Sequence, residues 1–255
     1  MKLPFITTLF LITSVFAVSV DGQTRKPAPA KARPAASRSP EIGQFAVVED
    51  ETLSLLRATP SLFASSIQRM RRGRKVRILA VTEADGVKFY KVTVPPSNSG
   101  WVQSDAVFGK FRTADEERLA KLVQALNGFD QIEMAVEFFN LYPNSKFRPS
   151  ILLLFGDLLE EVAVKLSKDA TKRLTRKEMA ASGAPLHSYY LNFVSLDRYR
   201  KLGVIFTFNS ATKLFHYDGA SWAEIVAKFP ASTEAVEAQK RLDSLKLKME
   251  SPIAK

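Results

Sequence analysis

Cysteine and histidine, two side chains that often perform catalysis, are absent or rare in this sequence. The chain has no cysteine, which excludes a thiol nucleophile, and its two histidines, His187 and His216, do not stand in a metal-ligand spacing. No G-x-S-x-G nucleophile turn and no phosphate-binding glycine loop occurs. The pair Glu160-Glu161 is typical of a solvated helix face. We therefore predict a protein that is not an enzyme and that holds no metal and no cofactor.

The elements that would position binding side chains follow an N-terminal segment with the features of an export signal. In residues 1–22, Lys2 precedes a largely apolar run from Leu3 to Val20, and the segment ends at Gly22. This order is typical of a secretory signal peptide that is cleaved near Gly22. A retained membrane anchor is the alternative, although the run is at the short end of the ~20 residues that span a bilayer. We expect an exported protein, either periplasmic or secreted.

Residues 23–40 are rich in proline and alanine and carry five basic residues without an acidic one. Such a composition cannot bury a core, so we predict a flexible basic tether. The whole chain has a formal net charge of +11. Because Lys2 and Asp21 cancel, subtracting the five tether charges leaves +6 for residues 41–255, a moderately basic folded part. An exported protein seldom meets nucleic acid, so no nucleic-acid partner is expected.

Short runs of alternating apolar residues, separated by turn residues, fill residues 53–108. Val76 and Ile78 stand two residues apart within such a run, as a strand with one buried face requires. Asp85-Gly86 fits the tight turn of a hairpin, and the two prolines that follow the next run cannot continue a hydrogen-bonded ladder. Several short strands in so short a stretch predict a small barrel or sandwich.

Four sequence blocks in this stretch resemble the bacterial SH3-like (SH3b) domain. They occur in the order of that family: Leu56-Arg57-Ala58-Thr59-Pro60-Ser61, Arg72-Gly73-Arg74-Lys75-Val76, Phe89-Tyr90-Lys91-Val92 and Gly100-Trp101-Val102. One departure is Phe89, where the family often has tryptophan. The resemblance implies a small all-β barrel over residues 41–109 that binds peptide or cell-wall material in a groove. By the same resemblance, the groove residues are Arg57, Tyr90 and Trp101.

The aromatic and basic side chains of this predicted domain each allow two interpretations. Tyr90 and Trp101 either line the groove or belong to the core; the core is favoured for Tyr90, which is in phase with Val92 and Val94, and Trp101 fits both equally. A dense group of basic residues at the middle turn either keeps the turn soluble or forms a basic patch for an anionic polymer or for phospholipid headgroups. The basic patch consists of Arg69, Arg71, Arg72, Arg74, Lys75 and Arg77.

From Lys110 onward the apolar spacing changes to that of helices. Two similar turns, Tyr142-Pro143-Asn144-Ser145 and Phe229-Pro230-Ala231-Ser232, join paired amphipathic segments; proline ends the first helix, and serine can cap the second. These turns resemble the tetratricopeptide-like (TPR-like) repeats of bacterial envelope proteins, which implies helix pairs over residues 110–250. An unrelated helical bundle with two similar turns is the alternative. Alternating apolar residues predict a hairpin insertion near residues 203–218.

Together these features predict an α+β protein of two domains, in which a small all-β SH3-like barrel precedes an all-α, TPR-like helix-pair domain. We expect a non-catalytic envelope adaptor or scaffold. It would bind protein partners through its helices and peptide or cell-wall material (peptidoglycan) through the SH3-like domain, with at most peripheral membrane contact. The alternatives are a dedicated peptidoglycan-binding protein and an accessory regulator of a separate cell-wall hydrolase.

Overall fold

One antiparallel sheet organises the first part of the computed structural model, which describes residues 39–95, 98–174 and 176–250. Seven strands stand in the order β3-β2-β6-β5-β4-β1-β7 and curl into a half-barrel. The strands are β1 Phe45–Val48, β2 Leu55–Arg57, β3 Ser66–Arg69, β4 Lys75–Ala84, β5 Val87–Val94, β6 Asn98–Gln103 and β7 Val107–Phe108.

The prediction of a small all-β SH3-like barrel is wrong. A barrel closes only when its first and last strands pair with each other. Here the edge strands β3 and β7 each pair with one neighbour, so the sheet of the described residues stays open. Strand β3 is mostly exposed, whereas Phe108 of β7 is buried in the core of the helices. The side chain of Phe108 thus packs with the helices and not inside a barrel.

The hairpin of β4 and β5 forms at the turn that Asp85-Gly86 predicted. Ala84 and Val87 are register partners, and Asp85 and Gly86 have φ values of +53° and +71°. Two positive φ angles match the right-handed twist of the flanking strands. The Asp85 carboxylate also accepts hydrogen bonds from Ser61 Oγ (2.7 Å) and the neighbouring Leu62 amide (2.8 Å). The hairpin turn therefore also fixes the connection between β2 and β3.

Helices form most of the chain after the sheet, and the longest of them is central. This helix, α3, contacts α2, α7 and α8. The helices are α1 Ala114–Ala125, α2 Gly128–Leu141, α3 Arg148–Arg173, α4 Arg176–Ser182, α5 Leu186–Leu191, α6 Asp197–Arg200, α7 Ala220–Lys228 and α8 Thr233–Glu250, with 3₁₀ turns at Ser104–Ala106 and Val194–Leu196.

The prediction that this second part is all-α is also wrong, because a hairpin belongs to its packed structure. The strands β8 Phe206–Asn209 and β9 Leu214–Tyr217 lie within the segment for which an insertion was predicted. Strand β9 packs along α3, where the Phe215 amide donates to Ser167 Oγ at 2.7 Å. The two aromatic-proline turns do join α2 to α3 and α7 to α8, but short helices and this hairpin separate the two pairs.

Two hydrophobic cores lie within one compact unit, one in the sheet and one among the helices. Between them, the buried carboxylate of Asp115 at the start of α1 accepts hydrogen bonds from the Gly109 amide (2.9 Å) and from Arg112 Nε (2.8 Å). A buried charge is tolerated only when it is paired and hydrogen-bonded. These contacts attach the last strand of the sheet firmly to the first helix.

Candidate functional site

Arg57 and Trp101, two of the three predicted groove residues, lie side by side on the exposed face of the sheet. They are register partners of β2 and β6, and Lys91 of β5 is the partner of Trp101 on its other side. Arg57 Nη1 donates to the Ala64 carbonyl at 3.0 Å. Its Nε–H is buried and has no acceptor among the residues that the structure describes. This row, which we call the outer row, combines an aromatic ring with two cations.

Tyr90, the third predicted groove residue, is a core residue. Its ring is fully buried, as the phase of the strand favoured, and its Oη donates to Glu41 Oε1 at 2.8 Å. Arg112 Nη1 donates to the same Oη at 3.3 Å. Burial raises the pKa of the Tyr90 phenol well above its usual range, and the hydrogen bond to Glu41 adds to the effect. Tyr90 therefore stabilises the fold and is not available to a ligand.

Three of the six residues of the basic patch are hydrogen-bonded to neighbouring segments of the chain. Arg72 is partly buried, and it donates to Glu133 Oε2 of α2 and to the Glu49 carbonyl, both at 3.3 Å. Arg69 and Arg74 donate to backbone carbonyls of neighbouring loops. These three guanidinium groups hold loops and helices together. The remaining members, Arg71, Lys75 and Arg77, are exposed, as is Arg69.

Glu49, which no sequence motif marks, lies fully buried where the sheet meets α2. Within the described part of the chain, neither of its carboxyl oxygens has a hydrogen-bond partner. Burial raises the pKa of this carboxyl to about 9, and the nearby charge of Glu137 adds to the shift against the opposing charge of Arg72. Glu49 is therefore protonated at neutral pH.

A cavity of about 250 Å³ opens between α2, α3, the loop before β8 and the start of α7. We call it the helical groove. Its walls include a cluster of aromatic rings: Phe139 and Phe155 meet edge to face at 5.5 Å, and Phe155 meets Tyr217 at 6.5 Å. Ile205 also lines the groove and is 59% exposed. The groove thus offers an apolar surface that nothing covers within the described residues.

Two carboxylates, Asp218 and Glu224, are among the few polar residues that line the helical groove. Glu224 Oε1 accepts a hydrogen bond from Arg148 Nε at 2.8 Å, which neutralises much of its charge. Asp218 Oδ1 accepts a hydrogen bond from the Ala220 amide at 3.0 Å. The groove is therefore slightly acidic within a chain of net charge +11. It contains no pair of side chains arranged to activate a nucleophile, but it can hold an apolar side chain beside a cation.

The prediction that Glu160 lies on a solvated helix face is wrong. Its carboxylate is largely buried and accepts hydrogen bonds from His216 Nδ1 (2.9 Å), Lys248 Nζ (2.8 Å) and the Tyr217 amide (3.0 Å). Burial favours a higher pKa, but these hydrogen bonds outweigh it and lower the pKa of Glu160 to about 2. The cluster joins α3, β9 and α8. Its neighbour Glu161 is exposed.

Across residues 39–95, 98–174 and 176–250, no three His, Asp or Glu side chains are grouped to hold a metal ion. The helices of these residues are each too short or too polar to cross a membrane. The predicted signal peptide of residues 1–22 and nearly all of the predicted tether of residues 23–40 lie outside the described residues.

Comparison with known proteins finds no match to a family model, to a curated protein or to a solved structure. The resemblances to SH3-like and TPR-like sequences therefore stay predictions that rest on the sequence blocks alone. The function has to be argued from the outer row and the helical groove.

Proposed function

We propose that this protein is a non-catalytic adaptor of the cell envelope, whose helical groove holds an apolar side chain from a partner protein. The observation that carries the proposal is the composition of the groove, whose apolar walls stand next to two carboxylates. Its volume of about 250 Å³ is below the ~300–1,000 Å³ of typical small-molecule sites and suits one or two side chains. Export to the envelope rests on the apolar run of residues 1–22 and belongs to the same proposal.

The chemistry of the groove selects the partner segment. A buried apolar anchor surrounded by polar contacts is the usual source of affinity in such interfaces. Because Glu224 is already paired with Arg148, the charge of Asp218 is the one left for a partner. A segment with an apolar residue next to Lys or Arg therefore fits the groove, and an acidic segment is disfavoured.

Selection of short random peptides on the immobilised chain, prepared without residues 1–22, tests this proposal. We expect the enriched peptides to share an apolar residue next to Lys or Arg. Their affinity should fall at least tenfold in Ile205→Glu, which places a charge at the apolar wall, and severalfold in Asp218→Asn. Fluorescence anisotropy with labelled copies of the enriched peptides gives the dissociation constants.

A matched control is Val236→Glu, because Val236 is 63% exposed on α8 and does not line the helical groove. This variant should bind the peptides as the unchanged chain does. Failure to enrich any peptide, or equal loss in Ile205→Glu and Val236→Glu, would contradict the helical groove as a partner site.

The outer row favours a second function, the binding of cell-wall material. The specific observation is the half-buried ring of Trp101, which stands between the cationic side chains of Arg57 and Lys91 on one face of the sheet. A polar polymer such as peptidoglycan offers both hydrogen-bond acceptors for these cations and sugar faces for the ring. This function does not depend on the helical groove, and it would make the chain a link between the wall and a protein.

Co-sedimentation with purified cell-wall sacculi across a salt series separates this function from simple charge attraction. Binding through the outer row should persist at high salt and should weaken severalfold in Trp101→Ala. Binding that disappears at modest salt would show that non-specific charge attraction alone holds the chain on the wall. Unchanged binding of Trp101→Ala would rule out the outer row as the binding site. Exposed Phe63 provides the control Phe63→Ala, which removes an aromatic ring outside the row.

A further inference from the structure

A second basic surface, separate from the basic patch of the sheet, follows the C-terminal half of α3. Residues 165–177 contain six basic residues and one acidic residue. Lys165, Lys168 and Lys172 are spaced three and four apart, so they share one helix face, and all three are exposed. The adaptor function proposed above makes no use of this face.

A groove of about 380 Å³ lies between this part of α3, the 3₁₀ turn Val194–Leu196 and α6. We call it the basic groove. Lys165 and Arg173 line it from α3, and Arg198 lines it from α6. Arg198 is held in place, because its guanidinium donates to Tyr199 Oη at 2.7 Å and lies 4.7 Å from the centre of the same ring. The one carboxylate in the lining, Asp169, is 3.9 Å from Arg173. The cations therefore outnumber the carboxylate, and the groove favours an anion.

Exposed aliphatic side chains accompany these cations. Val194, in the 3₁₀ turn, lines the basic groove and is 68% exposed, and Leu191 just before it is 37% exposed. The aromatic rings below, Tyr199 and Phe129, are covered by the guanidinium of Arg198. Nucleic-acid sites usually offer open aromatic rings on which bases stack. Cations around open aliphatic side chains are instead typical of surfaces that lie on a bilayer.

We propose that the basic groove and Val194 form a docking surface for an anionic phospholipid bilayer. Lipid phosphates would meet the cations of α3 and α6 while Val194 enters the headgroup region. Each Lys or Arg close to an anionic membrane strengthens binding by about fivefold, and salt weakens this attraction. The surface is separate from the helical groove, so one chain can hold a partner protein at a membrane surface.

Vesicle co-sedimentation of the chain without residues 1–22 tests this proposal. The vesicles contain phosphatidylglycerol with phosphatidylcholine, or phosphatidylcholine alone. We expect binding only to the anionic vesicles, a loss of about a hundredfold when Lys165, Lys168 and Lys172 are all changed to Gln, and a weaker loss in Val194→Asp. The matched control changes three exposed lysines that do not line the basic groove, Lys110, Lys121 and Lys240, to Gln, and it should bind almost as the unchanged chain does.

Three outcomes would overturn the proposal. Equal loss in the two lysine triple variants would show that net charge alone drives binding. No loss in the variant of α3 would place the lipid contact elsewhere. Competition by glycerol phosphate or by a single-stranded oligonucleotide, together with full binding of Val194→Asp, would identify a site for soluble anions. Because the changed residues are exposed, circular dichroism should show unaltered helix content in every variant.

Discussion

Ionisation of Glu49 destabilises the folded chain. Its carboxyl is fully buried beside Glu137, and its pKa rises from 4.5 to about 9 in the folded chain. Between these two values the unfolded chain releases the proton while the folded chain keeps it. The free energy of unfolding must therefore fall as pH rises through this window and level off above pH 9. Glu160 has the opposite sign, because its lowered pKa stabilises the folded chain above pH 4.5 and this stabilisation is lost towards pH 2.

We predict that Glu49→Gln removes the fall in the free energy of unfolding that the ionisation of Glu49 causes as pH rises from 4.5 to about 9. The amide cannot ionise, so the free energy of unfolding of the variant, relative to the unchanged chain, should rise by about 1 kcal/mol per pH unit between pH 5 and pH 8. Urea unfolding at a series of pH values measures this difference. Glu83→Gln, at an exposed position, should leave the profile unchanged. Parallel profiles for Glu49→Gln and the unchanged chain would contradict the prediction.

Sequence patterns predict the environment of some of these residues and not of others, and the reason is physical. The phase of β5 places Tyr90 in the core, because alternation along a strand is a local property. Glu49 and Glu160 belong to an ordinary acidic run and an ordinary helix, and only distant contacts bury them. The partner residues of Glu160 lie on β9 and α8, far away in the sequence, so no local pattern indicates the ion pairs. The outer row is intermediate, since Arg57 and Trp101 were predicted, whereas Lys91 was not and the pairing of all three depends on register.

At the scale of elements, the close packing of α7 on α3 depends on a single glycine. Gly156 lies in the middle of α3, and a Cβ at this position would stand 2.3 Å from Trp222 Nε1 and 2.6 Å from Ser221 Oγ. Trp222 is 2% exposed, so its ring cannot move aside into solvent. Because Gly156 has no Cβ, the start of α7 can pack directly against α3.

We predict that Gly156→Ala destabilises the protein, although alanine is the better helix former. Helix propensity alone would raise the free energy of unfolding by ~1 kcal/mol. Overpacking in a closed core costs ~1–3 kcal/mol, and the contact with Trp222 is severe, so we expect a net loss of about 2 kcal/mol in urea unfolding. The exposed position Glu161→Ala on the same helix is the control and should change little. A gain in stability for Gly156→Ala would show that α7 is held less closely than described.

The elements themselves were predicted to the extent that local signals determine them. Asp85-Gly86 specifies the β4–β5 hairpin, and the two aromatic-proline turns end α2 and α7. Barrel closure was not predictable from such signals, because it depends on which distant strands meet at the edges. Phe108 illustrates this point: its apolar side chain fits a barrel core equally well, yet it is buried with the helices.

At the scale of the whole molecule, buried polar contacts join the sheet to the helices. Asp115 accepts hydrogen bonds from Gly109 and Arg112, and Arg72, in the turn between β3 and β4, donates one to Glu133 of α2. Loss of one partner would leave a buried charge unpaired, which costs several times more than an exposed ion pair. The two cores should therefore not open independently.

We predict that the sheet and the helices unfold in one cooperative transition. In native-state hydrogen exchange, the most protected amides of β5 and of α3 should report the same opening free energy, because local opening of either core would break the junction. Asp115→Ala should separate the two values by 1 kcal/mol or more, since it leaves Arg112 Nε and the Gly109 amide without their acceptor. The control Asp105→Ala removes an exposed carboxylate paired with Arg118 at 3.3 Å, and it should keep the values equal. Different opening free energies in the unchanged chain would mean that the two cores are stable separately. The chain could then flex between its outer row and its helical groove, whereas a single transition requires that it present both surfaces at a fixed geometry.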